Sequence, residues 1–219
     1  LNGARISVGM MSTALSSAAY YASLEYANER PQGRTHSNRD MESPMELIIG
    51  YADVRRMLLF QKSIVEGSLA LVSQCAMYVD LARVSEGDEK VKYQLLLDLL
   101  TPMAKSYPAE MSVQSTSQGM QVLGGAGFCS DFPLQQYYRD TRINPIYEGT
   151  TGIQAMDLLG RKVTAKMGAS VIALGAELQN TIKEAMAVES LKPYAEKLGV
   201  SATKFQEVTM KLMGLAQNE

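Results

Sequence analysis

Apolar and small side chains recur at helical spacing along almost the whole chain. Ile6, Met10, Ala14, Ala18, Tyr21 and Leu24 form the first row, which stops before Pro31 and Gly33, so the spacing predicts a helix over residues 2–29. Its many Ala, Ser and Gly residues allow neighbouring helices to come close. Residues 34–50 are polar around Ser43-Pro44 and read as a loop or short helix. A second row (Val54, Met57, Leu58, Val65, Leu69, Val72, Ala76, Val79) predicts a helix to about Arg83, with Asp53 suited to its N-cap or first turn. Ser85–Asp88 reads as a turn. A third row (Val91, Leu95, Leu96, Leu99, Met103, Tyr107, Met111) contains Pro102 and Pro108, which predict a kink or a restart. Gly124-Gly125 suits a left-handed C-cap, and residues 126–145, with Pro133 and Pro145, read as a loop. A fourth helix is expected from about Thr150 to Met167. The tail carries two more apolar rows, Val171 to Met186 and Tyr194 to Leu215, with a turn and new N-cap at Gly199-Val200-Ser201. Long amphipathic helices without a convincing strand predict an all-α, up-and-down bundle.

Composition narrows the class. With 219 residues the chain is long enough for one sizeable core plus an appendage. The net charge is −2 with acids and bases interspersed, so nothing in it attracts nucleic acid or an anionic membrane. Cys75 and Cys129 are far apart and are expected to be free thiols in a reducing compartment, the cytoplasm or a mitochondrial matrix. The single histidine, His36, lies in a polar stretch, which disfavours a zinc site, a Ser-His-Asp mechanism and a di-metal bundle. No apolar run is expected to reach the roughly 18 residues of a membrane span, and no signal peptide is evident. The fourteen methionines read as adaptable core filling. Because the chain starts at Leu1 within an apparent helix, it is expected to be a piece of a longer protein.

Candidate chemistry centres on Glu148. Ile146 and Tyr147 supply apolar surface, which disfavours the charged form of a carboxylic acid, and Gly149 leaves the adjacent backbone open to a ligand. These are the ingredients of a base in a dry pocket. A carboxylate in the first turn of a helix, placed there by the macrodipole, is the alternative. The Gly124-Gly125-Ala126-Gly127 run is weak as a nucleotide fingerprint, because no strand precedes it; a helix cap would need only one of its glycines. Arg30 either stabilises the C-terminal end of the first helix or matches diphosphate oxygens with its guanidinium fork. Arg5, near the start of that helix, reads by itself as a solvated side chain.

Four strings in order carry a family resemblance. Asn2, Arg5 and Val8-Gly9 open the chain; Tyr26-Ala27-Asn28-Glu29-Arg30-Pro31-Gln32-Gly33-Arg34 follows; then Gln121-Val122-Leu123-Gly124-Gly125-Ala126-Gly127-Phe128; then Arg139-Asp140 ahead of Ile146-Tyr147-Glu148-Gly149-Thr150 and Gln154. Together they resemble the C-terminal helical domain of the acyl-CoA dehydrogenases over residues 1–162. The resemblance implies a four-helix bundle there, with residues 163–219 as part of a helical C-terminal extension. It also implies an N-terminal helical domain and a middle β-domain outside this sequence. Tyr51-Ala52 departs from the His-Gln pair that smaller members place against the flavin. Asp53–Leu59 and the insertion at 34–50 instead resemble a larger subgroup, which includes enzymes acting on 3-methylmercaptopropionyl-CoA.

By that resemblance the reaction is α,β-dehydrogenation of an acyl-CoA thioester, with FAD accepting hydride. Glu148 is implied as the base that removes the α-proton, its own backbone N–H helping to bind the thioester carbonyl. Gln121, Gly124 and Gly125 are implied at the adenosine-diphosphate part of FAD. Arg30, with Gln32, is implied at the FAD diphosphate of a neighbouring subunit, hence a homodimer or homotetramer. Thr150 and Gln154 are implied to face the flavin, and Asn2, Arg5 and Gly149 the substrate; Asn2 replaces the family's usual acid and carries no charge. An electron-transferring flavoprotein is the implied acceptor. An acyl-CoA oxidase and a catalytically inactive helical interaction module remain as alternatives, and the 219-residue chain by itself is expected to be inactive.

Overall fold

The computed structural model describes residues 2–34 and 40–216. Leu1 and His36, both weighed above, lie outside the described residues. Every regular element among the described residues is helical: α1 Asn2–Glu29, α2 Ala52–Val84, α3 Gly87–Leu123, α4 Leu134–Thr141, α5 Thr151–Asp157, α6 Ala169–Met186 and α7 Lys192–Ala216, with short 3-10 or π turns between them. The only β-type pairing among the described residues is an isolated antiparallel bridge between Pro31 and Leu47. The chain divides into two compact units, residues 1–75 with 103–151 and residues 76–102 with 152–219; α2 and α3 run through both.

In the first unit α1 uses a different face from the one its large side chains suggest. Its buried positions are Val8, Gly9, Ser12, Thr13, Ser16, Ala19, Ser23 and Ala27, whereas Met10 and Tyr21 are exposed. Small side chains win because they let helix backbones approach. A Cβ on Gly9 would lie 2.1 Å from the Ala104 carbonyl oxygen of α3. The buried hydroxyls fold back onto their own helix, Ser12 donating to Val8 O at 2.8 Å and Thr13 to Gly9 O at 2.8 Å, so they need no partner from elsewhere. The apolar core of this unit joins Ala19, Ala27, Ile48, Met57, Leu58, Val122, Leu123 and Leu134.

The restart expected in α3 does not occur: one helix continues through Pro102 and Pro108. Each proline removes one backbone donor, and at Pro108 the carbonyl left without its usual partner is that of Ala104, the one against which Gly9 packs. The inward face is also more polar than its apolar row implies. Thr101, Lys105, Ser112, Ser115 and Thr116 are buried, while Val91 and Tyr107 are exposed. Gly124 does take the left-handed conformation (φ 60°), leading into a 3-10 turn over Gly124–Phe128. The expected loop at 126–145 contains α4, which is short and largely polar; Pro133 sets its entry and Leu134 anchors it in the core.

In the second unit the fourth helix ends early. α5 stops at Asp157, a π turn follows over Leu158–Lys162, and Lys166, Met167 and Gly168 all have positive φ, which no helix accommodates. α6 and α7 then pack together. The turn expected at Gly199–Ser201 is continuous α7; the break falls earlier, at extended Val188, and Pro193 sits in the first turn where a missing N–H costs nothing. Between α6 and α7 lies a groove of about 1000 Å³ lined by Val171, Leu174, Leu178, Ile182, Phe205 and Met213. Ion pairs Lys92–Glu177 (2.5 Å) and Lys162–Asp98 (3.4 Å) and the stacked Tyr78–Tyr93 rings tie this unit internally.

Contrary to the reading of the sequence, α2 is long and apolar enough to cross a membrane by length and composition, with an 18-residue window of mean hydropathy 1.3. It also buries Gln61 and Ser68 on the side that holds Met57, Leu58 and Val72, and it carries an exposed Lys62–Glu66 ion pair. That pattern belongs to a helix packed in a bundle.

Candidate functional site

The segment after α4 is a loop built almost entirely from its own hydrogen bonds. Asn144 N donates to Thr141 O (3.1 Å), Ile146 N and Tyr147 N both donate to Ile143 O (2.9 and 3.1 Å), and Thr151 N donates back to Pro145 O (3.2 Å). Buried Thr141 and Ser112 share a hydroxyl–hydroxyl bond of 2.6 Å that fastens the end of α4 to α3. Thr151, the first residue of α5, donates its hydroxyl to Glu110 of α3. Glu148 therefore lies in the loop, three residues before the first residue of the helix, and the helix-dipole alternative does not apply.

Two consecutive residues here are left-handed, Glu148 at φ 54° and Gly149 at φ 87°. For a glutamate that conformation is uncommon and has to be held by its surroundings. Glu148 itself is exposed, as is Thr150, while Tyr147 and Gly149 are half-buried. The Tyr147 hydroxyl reaches Met11 Sδ of α1 at 4.0 Å. Burial pushes the Tyr147 phenol above its ordinary value, and the charge of Glu148 adds to that.

Behind the loop stands Lys105, fully buried. Its ammonium donates to the carbonyl of Asn144 (2.8 Å) and to that of Gly149 (2.8 Å). Burial lowers its affinity for the proton; Glu110 opposes that, Arg5 adds to it, and Glu148 opposes it. Arg5, Lys105, Glu110 and Glu148 thus form one electrostatic group spread over α1, α3 and the loop.

The other sequence-derived positions fall elsewhere. Asn2 and Arg5 are half-buried at the start of α1. Arg30 and Gln32 are exposed just past its far end, roughly 36 Å along the helix from Arg5 at 1.5 Å per residue. There Gln32 is held through its backbone, N to Glu46 O (2.8 Å) and O from the Tyr51 hydroxyl (2.8 Å). Gln121, Gly124 and Gly125 are exposed at the end of α3. Arg139 is exposed, and Asp140, also exposed, accepts from Gln136 (2.7 Å). Gln154 is buried on α5 in the second unit, as is Asp157, which takes Arg161 Nε at 2.6 Å.

FAD was implied by the resemblance, and the exposed turn at the end of α3 leaves room for such a group. A Cβ built at Gly124 or Gly125 meets nothing within 4 Å, so the backbone there lies open to a flat or charged ligand. Gln121, also exposed, precedes this turn in α3, and Arg30 is exposed at the end of α1. Sequence reasoning missed Lys105, Glu110, Asn144 and the Ser112–Thr141 pair. Nothing in the sequence marked Lys105: that Thr101 and Ala109, one turn to either side, face inward is known only from the structure.

Comparison with known proteins places these features in context. Residues 1–163 match the family model described as "Acyl-CoA dehydrogenase, C-terminal domain". The chain is 39% identical over 179 residues to 3-methylmercaptopropionyl-CoA dehydrogenase of Ruegeria pomeroyi, covering 79% of this chain and 30% of that protein. It is 33% identical over 214 residues to the broad-specificity linear acyl-CoA dehydrogenase FadE5 of Mycobacterium tuberculosis, covering 96% and 35%. Its fold is similar to that of Caenorhabditis elegans ACDH-11, solved in complex with C11-CoA, with a TM-score of 0.84 at 22% identity over 99% of this chain and 34% of that one. The chain thus spans about a third of the length of the relatives it matches.

Proposed function

The chain belongs to the acyl-CoA dehydrogenase family, and from that premise we propose that it is the base-bearing part of an FAD-dependent enzyme that dehydrogenates an acyl-CoA thioester between its α and β carbons. The observation that carries this reading is Glu148, presented in the open on a loop whose backbone is fixed from both ends. In the proposed mechanism the Glu148 carboxylate takes the α-proton as general base. Its backbone N–H, with the half-buried Gly149 beside it, would donate to the thioester carbonyl as that oxygen gains negative charge. Arg5 contributes positive charge to the same group of residues, and the uncharged Asn2 offers a hydrogen bond at the mouth of α1. Closing the site against water comes from parts of the enzyme beyond these helices and strengthens the carboxylate as a base.

When bound, FAD supplies the hydride acceptor. Gln121, Gly124 and Gly125 would hold its adenosine-diphosphate part, with Thr150 and Gln154 toward the flavin. Arg30 and Gln32 stand far along α1 from the base, as residues serving the cofactor of a second copy would; a homodimer or dimer of dimers follows. An electron-transferring flavoprotein is the proposed acceptor.

The test is made on the full-length enzyme, wild type against Glu148→Gln, mixed anaerobically with a panel of acyl-CoAs while flavin absorbance is followed. Wild type is expected to bleach and Glu148→Gln to lose at least a hundredfold in rate, consistent with loss of a general base. Equal bleaching in both removes Glu148 as the base. No bleaching with any thioester removes the dehydrogenase reading, and peroxide release in air would shift it to an oxidase.

A further inference from the structure

Lys105 has no part in the chemistry above, yet it is the largest fully buried side chain among the described residues. A buried ammonium is costly unless its donors are used, and here they go to two backbone carbonyls on one loop, at Asn144 and Gly149, each at 2.8 Å. Those two residues bracket Glu148. The ammonium therefore closes Asn144–Gly149 into a ring around a cation, and the ring contains the two successive left-handed residues, φ 54° and 87°. Without an anchor, a left-handed glutamate followed by a flexible glycine would relax to commoner backbone angles. The adjoining packing keeps the anchor itself in place. Gly9 of α1 lies against the carbonyl of Ala104, the residue before Lys105, and the Ser112–Thr141 and Thr151–Glu110 bonds fix the loop's two ends to the same helix.

We propose that Lys105 is the positioning residue of this loop: by binding the carbonyls of Asn144 and Gly149 it sets the direction in which the Glu148 carboxylate leaves the backbone. The consequence for catalysis rests on the reading of Glu148 as the base; the control of the loop does not. A lysine suits the task because its long stem crosses from the axis of α3 while its three donors serve two acceptors at once. Lys105 itself reaches neither substrate nor flavin, so its removal acts on turnover and leaves substrate affinity alone.

The test uses the full-length flavoprotein as wild type, Lys105→Met, Lys105→Gln and Glu148→Gln. Amide hydrogen exchange of the peptide spanning residues 142–151 is expected to be at least tenfold faster in Lys105→Met, with α1 and α2 unchanged. The kcat for acyl-CoA is expected to fall at least tenfold with KM within about twofold and full flavin content. Lys105→Gln, which keeps two donors, is expected to fall in between. Unchanged loop exchange in Lys105→Met overturns the proposal, as does a raised KM at unchanged kcat. Failure of both lysine variants to fold or hold flavin also overturns it, since the lysine would then be serving the bundle rather than the loop. Wild-type bleaching in Glu148→Gln removes the base assignment and leaves the exchange result to decide Lys105 separately.

Discussion

At the scale of single residues, Glu148 and Cys75 illustrate how backbone angle and burial control chemistry. A left-handed non-glycine residue costs of order 1 kcal/mol, so Glu148→Gly is expected to abolish turnover while leaving the melting temperature unchanged or higher. A melting temperature lower by several degrees would show that the Glu148 side chain supports the fold. Cys75 is fully buried, and burial pushes its thiol from 9.0 to about 11. Between those values the unfolded chain loses a proton that the folded chain keeps, so stability falls as pH rises from about 9 to 11, by on the order of 2 kcal/mol. Cys75→Ala is expected to lose that alkaline slope in chemical denaturation. Lys105 works in the opposite sense: its lowered proton affinity means that the unfolded chain holds the extra proton, and stability rises with pH between its lowered folded value and the ordinary lysine value. In the native state a thiol reagent is expected to label exposed Cys129 and to spare Cys75 until the protein unfolds.

At the scale of elements, one close approach in the first unit is made by a glycine and permitted by a proline. Pro108 cannot donate to the Ala104 carbonyl, and Gly9 of α1 occupies the space beside that oxygen. Gly9→Ala would force a Cβ to 2.1 Å from it and is expected to destabilise the protein by about 1–3 kcal/mol or more. Gly175, inside α6 with nothing within 4 Å of a Cβ, gives the contrasting case. Gly175→Ala is expected to stabilise by about 0.5–1 kcal/mol. Paired denaturation curves test both, and similar shifts would contradict the packing account. The lengths of α1, α2 and α3 were legible because each carries a long row at helical spacing. α4 was not, because its eight residues are mostly polar and their place is decided by Leu134 entering a core made by other helices.

At the scale of the whole molecule, the chain covers about a third of its relatives' length and leaves many large apolar side chains exposed, among them Phe128, Tyr21 and Met156. Of the residues proposed for the cofactor, Arg30, Gln32, Gln121, Gly124, Gly125 and Thr150 are open on the surface, and Gln154 is buried. Expressed alone, residues 1–219 are therefore expected to be colourless, to bind a hydrophobic dye and to turn over no acyl-CoA. Yellow, active protein from this chain alone would refute that expectation.

The linear pattern determined the helical class, the boundaries of the three longest helices and the motifs of the family, because periodicity and punctuation by Gly and Pro act locally along the chain. Which face of α1 turned inward, and the use of Lys105 as an anchor, were decided only in three dimensions. Close helix approach selects small residues over large ones wherever backbones must touch. The value of a buried ammonium depends on acceptors that lie 39 and 44 residues further along the chain.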